Sequence, residues 1–224
     1  MPRTILSRFT SAALVAVAAA PAFVMTACAT ADSGVANPNA GLLDPASDTP
    51  GLSVGDHAPM GELLDAESNE IRVADLYSDQ PAVLIFYRGG WCPYCTRDLR
   101  EWEGALPEFE NAGARVVAIS LETPEHAYDT TTKNELSYDV LVDPTGNVVK
   151  GFRLGFQLDE TTTTRYKGYG IDLAAHNANA SWELPAPAVY VVDTSGVIRY
   201  ANADWDYTER VGHEDALEAV RGLN

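Results

Sequence analysis

Two cysteines two residues apart, Cys92 and Cys95, are the side chains here whose type and spacing could do chemistry. The stretch around them reads Phe86-Tyr87-Arg88-Gly89-Gly90-Trp91-Cys92-Pro93-Tyr94-Cys95. An apolar run ends, two glycines let the backbone turn, and Pro93 suits the first turn of a helix, where its missing N–H is not needed. This spacing puts Cys92 at the N-cap and Cys95 in the first helical turn on the same side. Their sulfurs can then be bridged without moving the chain much.

The chemistry would be redox chemistry of a dithiol, in which the thiolate is the nucleophile. A thiol of pKa ~8.5 is only about 3% ionised at pH 7. Lowering that pKa by two units takes ~2.7 kcal/mol of preference for the anion. A helix N-terminus supplies ~0.3–1 kcal/mol, reaching ~2 in favourable sites. Hydrogen bonds to the sulfur, at ~1.5–3 kcal/mol each, must supply the rest. The first-turn amides and the partner S–H are the donors at hand, and Arg88 is either another contributor or a solvated charge at the strand end. A structural zinc site needs four ligands. There is no second cysteine pair, and His57, His126, His176 and His213 are scattered singly, so no metal and no other cofactor is expected. Inert buried thiols would not need Trp91, Pro93 and a strand-to-helix junction around them.

The surrounding elements follow from periodicity. Ala82 to Tyr87 is a short unbroken apolar run, as in a strand buried on both faces. From Pro93 to Ala112, Leu99, Trp102, Leu106 and Phe109 recur at helical spacing, with Gly113 as the stop. Pro107 should kink or split that helix. Arg115 to Leu121 reads as a second buried strand, and Thr123-Pro124 opens a helix with Thr as N-cap. Tyr138 to Val142 is a strand ending in Asp143-Pro144-Thr145-Gly146. Ala188 to Val192 and Val197 to Tyr200 flank Asp193-Thr194-Ser195-Gly196 as a hairpin, and Glu214 to Leu223 closes as a helix. The order describes an α/β fold with a central mixed sheet flanked by helices. Gln157 to Leu184 fits no simple element; it is either a partial cover over the dithiol or surface decoration.

The N-terminus reads as an export signal over residues 1–27, with Arg3 and Arg8, an apolar run from Ala12 to Met25, and a small-residue end. Fourteen apolar residues are too few for the ~20 a membrane-spanning helix needs. Met25-Thr26-Ala27-Cys28 is similar to a bacterial lipobox, which would make an acylated Cys28 the first mature residue. Ala29-Thr30-Ala31 alternatively offers an ordinary cleavage site releasing a soluble product. Either way the protein is expected outside the cytoplasm, in the periplasm or cell envelope, touching the membrane only through a lipid anchor. Residues 28–51, rich in Ala, Gly, Ser, Asp, Asn and Pro, form a flexible linker, and residues 52–224 form one domain. Cleavage before Cys28 removes two Arg and no acid, leaving 13 basic and 32 acidic residues, a net charge of −19. Such a surface repels nucleic acid and anionic lipid, and argues against both as partners.

Taken together, the motifs resemble the peroxiredoxin-like branch of the alkyl hydroperoxide reductase/thiol-specific antioxidant family, within the thioredoxin superfamily. The resemblance runs through Gly55-Asp56-His57-Ala58-Pro59, Phe86 to Leu99, Leu141-Val142-Asp143-Pro144, Tyr169 to Leu173 and Leu184 to Ala188. It implies a thioredoxin-like fold and a thiol-dependent antioxidant enzyme reducing hydroperoxides through a dithiol/disulfide cycle, re-reduced by a thiol donor such as a thioredoxin-like protein. The sequence departs from the family at three places, one of which is that no Arg stands just before the strand at Ala188, where peroxiredoxins usually place one. Aligning Cys95 with the peroxide-attacking cysteine puts Arg88 at a proline position and Cys92 at a Thr/Ser position. W-C-x-x-C also fits thioredoxin itself, which keeps open a thiol:disulfide oxidoreductase acting on protein disulfides, with Cys92 as an exposed nucleophile and Cys95 resolving. Trp91 and Arg88, flanking the dithiol, are read as supporting residues on the substrate side, and the resemblance implies a cis proline beside the sulfurs, Pro187 with Pro185 as rival.

Overall fold

The computed structural model describes residues 41–208 and 212–223. Cys28 and the apolar run before it lie outside the described residues, and with them the expectations about cleavage and lipidation.

Five consecutive apolar residues make the central strand β3 (Ala82–Phe86), buried throughout. Parallel to it lies β4 (Arg115–Ser120), and parallel to that β5 (Asp139–Val142). On its other side the hairpin β8 (Ala188–Val192) and β9 (Ile198–Ala203) runs antiparallel, the β8 register pairing Phe86 with Ala188. Two short strands, β1 (Glu62–Leu64) and β2 (Glu70–Arg72), continue the far edge, giving the order β2-β1-β5-β4-β3-β8-β9. A separate ribbon pairs β6 (Gly155–Gln157) with β7 (Glu183–Pro185). The α/β reading of a mixed sheet flanked by helices is therefore correct.

Because side chains alternate across a strand, the sheet sorts its residues into two cores. Val83, Ile85, Val116, Ala118, Val189 and Val191 face α1 (Pro93–Asn111), α2 (Pro124–Asn134) and α6 (His213–Arg221), and both cysteines belong to this core. Leu84, Phe86, Val117, Ile119 and Tyr190 face the opposite side, where α3 (Asn147–Gly151) packs with Phe152. The caps form as read: the Thr123 side chain accepts from the His126 amide, and α1 ends just before Gly113 at φ +74°.

Helix α1 runs through Pro107 as one element, so of the expected kink or split the split does not occur. Trp102, Leu106 and Phe109 pack into one core on both sides of that proline. A core this continuous outweighs the ~3 kcal/mol an interior proline costs. The segment from Gln157 to Leu184 is also more ordered than its composition suggested. It carries α4 (Glu160–Gly168), α5 (Leu173–His176) and β7. Within the stretch read as linker, the Gly51 amide donates to the Arg153 carbonyl at 2.7 Å and Trp205 donates to the Asp48 carbonyl at 2.9 Å.

Candidate active site

The junction between β3 and α1 builds the site. Cys92 caps α1 with extended backbone (φ −91°, ψ 113°) and Pro93 follows as the first helical residue. The Cys92 amide donates back to the Gly89 carbonyl at 3.0 Å, and its own carbonyl accepts from Thr96 at 3.0 Å. The turn depends on both glycines. Gly89 sits at φ +145°, and a side chain on it would strike Trp91; one on Gly90 would strike Thr130. Cys95 lies one turn on, as the spacing requires, and the two cysteines are not disulfide-bonded.

The expectation of an exposed Cys92 fails. It is 2% exposed and Cys95 is fully buried. The cover is aromatic. Trp91 packs edge-on against Tyr166 of α4, with ring centroids 5.7 Å apart. The Arg88 guanidinium lies 3.9 Å from the centre of the Tyr207 ring and 5.2 Å from that of Trp91, and donates to the Tyr166 hydroxyl. The inserted segment thus reaches the neighbours of the dithiol, through the contacts of Tyr166 with Trp91 and Arg88. Arg88 is not a solvated strand-end charge; it is 3% exposed, its Nε has no hydrogen-bond partner, and no carboxylate among the described residues pairs with it.

Sequence reasoning missed the carboxylate on the inner side. Glu122, 1% exposed at the end of β4, accepts from the Gly90 amide at 2.8 Å and from the Tyr87 hydroxyl at 3.0 Å. Longer contacts of 3.4 Å reach it from Ser120 and Thr130. Burial raises its pKa, against the lowering effect of those hydrogen bonds. Burial, then the charge of Glu122, pushes the Tyr87 phenol well above its ordinary range, so it stays protonated and donates. The one sequence signal was an acid directly after an otherwise buried strand, in Ile119-Ser120-Leu121-Glu122. Nearby, the rings of His126 and His176 stand 4.3 Å apart. Among the described residues no three His, Cys, Asp or Glu side chains converge as a metal ion would need.

The expected cis bond at Pro187 is absent, since every peptide bond among the described residues is trans. The chain enters β8 directly from the β7 ribbon, and the Pro187 carbonyl accepts from the Asp204 amide at 3.1 Å, a contact to the chain just beyond β9. Pro187 does line a cavity of about 740 Å³ with Arg88, and Pro185 is tied up in β7.

A mixed sheet whose central strand delivers C-x-x-C to the first turn of a helix defines a thioredoxin-fold dithiol protein. The sequence model of the AhpC/TSA family matches residues 54–201, and the chain belongs to that family. Among its relatives, 1-Cys peroxiredoxin A of Oryza sativa is 29% identical over 108 residues, 45% of this chain and 49% of that protein. Peroxiredoxin 2 of Sulfurisphaera tokodaii is 23% identical over 178 residues, 76% of this chain and 72% of that one. The chain thus spans about half the length of the rice relative. The solved structure of peroxidoxin BcpB from Mycobacterium tuberculosis superposes with a TM-score of 0.62 at 21% identity, covering 77% of this chain and 99% of the other.

Proposed function

We propose that this protein is a thiol peroxidase that reduces hydroperoxides through Cys92 and Cys95 and is re-reduced by an external dithiol, such as that of a thioredoxin-like protein. The observation that carries the reading is a dithiol at the first turn of α1, beneath Trp91 and a buried Arg88, in a chain of the AhpC/TSA family. The steps balance. A thiolate attacks one peroxide oxygen, the O–O bond breaks, and the departing alkoxide takes a proton to leave as alcohol, or as water from hydrogen peroxide. The sulfur is oxidised to sulfenic acid. The second thiol condenses with it, forming the disulfide and releasing water. Two electrons and two protons from the external dithiol restore both thiols. Cys95 is assigned to peroxide and Cys92 to disulfide exchange. Arg88 is assigned to the negative charge that develops on the leaving oxygen, where a preoriented cation in a dry site acts strongly.

A second reading, a protein thiol:disulfide oxidoreductase, is favoured by a thiol at position 92 where peroxiredoxins carry a hydroxyl. Peroxide consumption and disulfide reduction measured side by side on the same reduced protein decide between them. Stoichiometric peroxide loss with appearance of the Cys92–Cys95 disulfide is expected; disulfide reduction without peroxide loss would transfer the assignment. Export as a lipoprotein acylated at Cys28 belongs to the same reading. Mass spectrometry of the native N-terminus should show the lipid; a soluble chain starting at Asp32 would refute it.

A further inference from the structure

The inserted segment is fastened to the loop after β4 by a short seam. The Thr123 amide donates to the His176 carbonyl at 2.9 Å, and the Ala178 amide to the Leu121 carbonyl at 2.8 Å. Between them Glu122 and Asn177 pair as an antiparallel bridge. Leu173 of α5 is fully buried, whereas α4 buries none of its residues. A segment with so few buried side chains belongs to the low-stability end of a structure, where local opening occurs.

Two histidines face each other across this seam. His126, in the first turn of α2, and His176, the last residue of α5, have ring centroids 4.3 Å apart and planes tilted by 41°. Their surroundings differ. The His126 Nδ1 lies 2.9 Å from the Thr123 hydroxyl, which can donate to a neutral ring and accept from a charged one. The His176 Nδ1 is buried and has no hydrogen-bond partner among the described residues. Charging that ring leaves an N–H buried without an acceptor, beside a second imidazole.

Acids around the seam pull the other way. Burial and His126 oppose a charge on His176, while Asp172, just before α5, favours it. Glu122 and Asp129 favour a charge on His126. Glu122 is already engaged with the Gly90 amide and the Tyr87 hydroxyl, Asp129 with Lys133 at 2.7 Å, and Glu125 is exposed next to His126. Each ring therefore has a carboxylate that favours its proton, yet two imidazolium ions so close in a half-buried site repel each other.

We propose that His126 and His176 form a proton-operated latch. With at most one ring charged, the pair holds the inserted segment to the loop after β4; with both charged, it releases that segment. The same segment carries Tyr166, which contacts Trp91 and Arg88, so acidification loosens the packing next to the dithiol. The latch does not rest on the peroxidase reading.

The test is hydrogen exchange by mass spectrometry on the reduced full chain, each rate divided by that of unstructured peptide at the same pH. Between about pH 7.5 and about pH 5, normalised exchange at residues 121–123 and 173–178 should rise at least ~tenfold, as opening follows the charging of both rings. Exchange in β3 and α1 should stay within about twofold over the same range. His126→Gln and His176→Gln each leave a single chargeable ring and should cut the rise to about twofold or less. Either variant suffices if the other fails to fold, and the wild-type profile stands without both. No rise, a rise shared equally by β3 and α1, or an undiminished rise in the folded variants overturns the latch.

Discussion

Replacing Glu122 with alanine removes the acceptor that a buried hydroxyl and a partly buried amide share. The Gly90 amide and the Tyr87 hydroxyl approach it at 2.8 and 3.0 Å, and Tyr87 belongs to the core that holds the cysteines. Leaving a buried donor unsatisfied costs ~1–3 kcal/mol, so two such donors cost about 2–6 kcal/mol. For a domain of this size ~1 kcal/mol shifts Tm by about 2–4 °C, which for a middle value of about 4 kcal/mol is a fall of about 8–16 °C. Glu122→Gln keeps a carbonyl oxygen for one donor and should lose about half as much. The two variants should also separate with pH. Burial raises the Glu122 pKa above its usual 4.5, so the folded state binds more protons than the unfolded state between those values. Its contribution is fully present below pH 4.5 and is lost as pH rises through the raised value. Wild type should therefore lose stability relative to Glu122→Gln as pH climbs from 4.5. Urea unfolding followed by circular dichroism at several pH values measures both effects. Iodoacetamide alkylation rates on the same samples report whether loosening Gly90 exposes Cys92. A Glu122→Ala loss under ~1 kcal/mol, or equal losses for Ala and Gln, would refute the assignment of Glu122 as the clamp on the loop.

After equal peroxide exposure, Cys92→Ser should form a trappable sulfenic acid at Cys95, and Cys95→Ser should not; the reverse pattern would assign peroxide attack to Cys92. Trp102→Ala, at a 2% exposed side chain in the core beneath α1, should cost about 3–5 kcal/mol in urea unfolding, and a loss below 1 kcal/mol would show that the core collapses around it. Burial, then the nearby His126, lowers the His176 pKa below its usual 6.5, so its contribution is present above pH 6.5 and lost as pH falls through the lowered value. His176→Gln should flatten that part of the stability profile, and an unchanged profile would remove the residue from it.

The dithiol, its helix and the strands of the central sheet were legible in the sequence because they rest on local rules. A five-residue apolar run, a Gly-Gly turn, Pro93 at a helix start and Thr123 as a cap each act over a few residues. Short-range chemistry also misled in part: a proline interior to α1 left a split open beside a kink, and the N-cap position of Cys92 suggested exposure. Both failed because contacts from distant segments decided the outcome. Trp102, Leu106 and Phe109 hold α1 together past Pro107, and Tyr166, which lies 74 positions after Cys92 in the sequence, covers Trp91 and holds Arg88. Glu122 and Tyr207 reach the site in the same way, from the end of β4 and from beyond β9, and no spacing rule links them to the cysteines. The sequence by itself determined where the two cysteines sit, at the junction of β3 and α1. Only the tertiary structure decided how deeply the two cysteines are buried, which carboxylate holds the Gly90 amide and that Arg88 is buried among aromatic rings, because burial and desolvation are properties of packed surfaces rather than of neighbours along a chain.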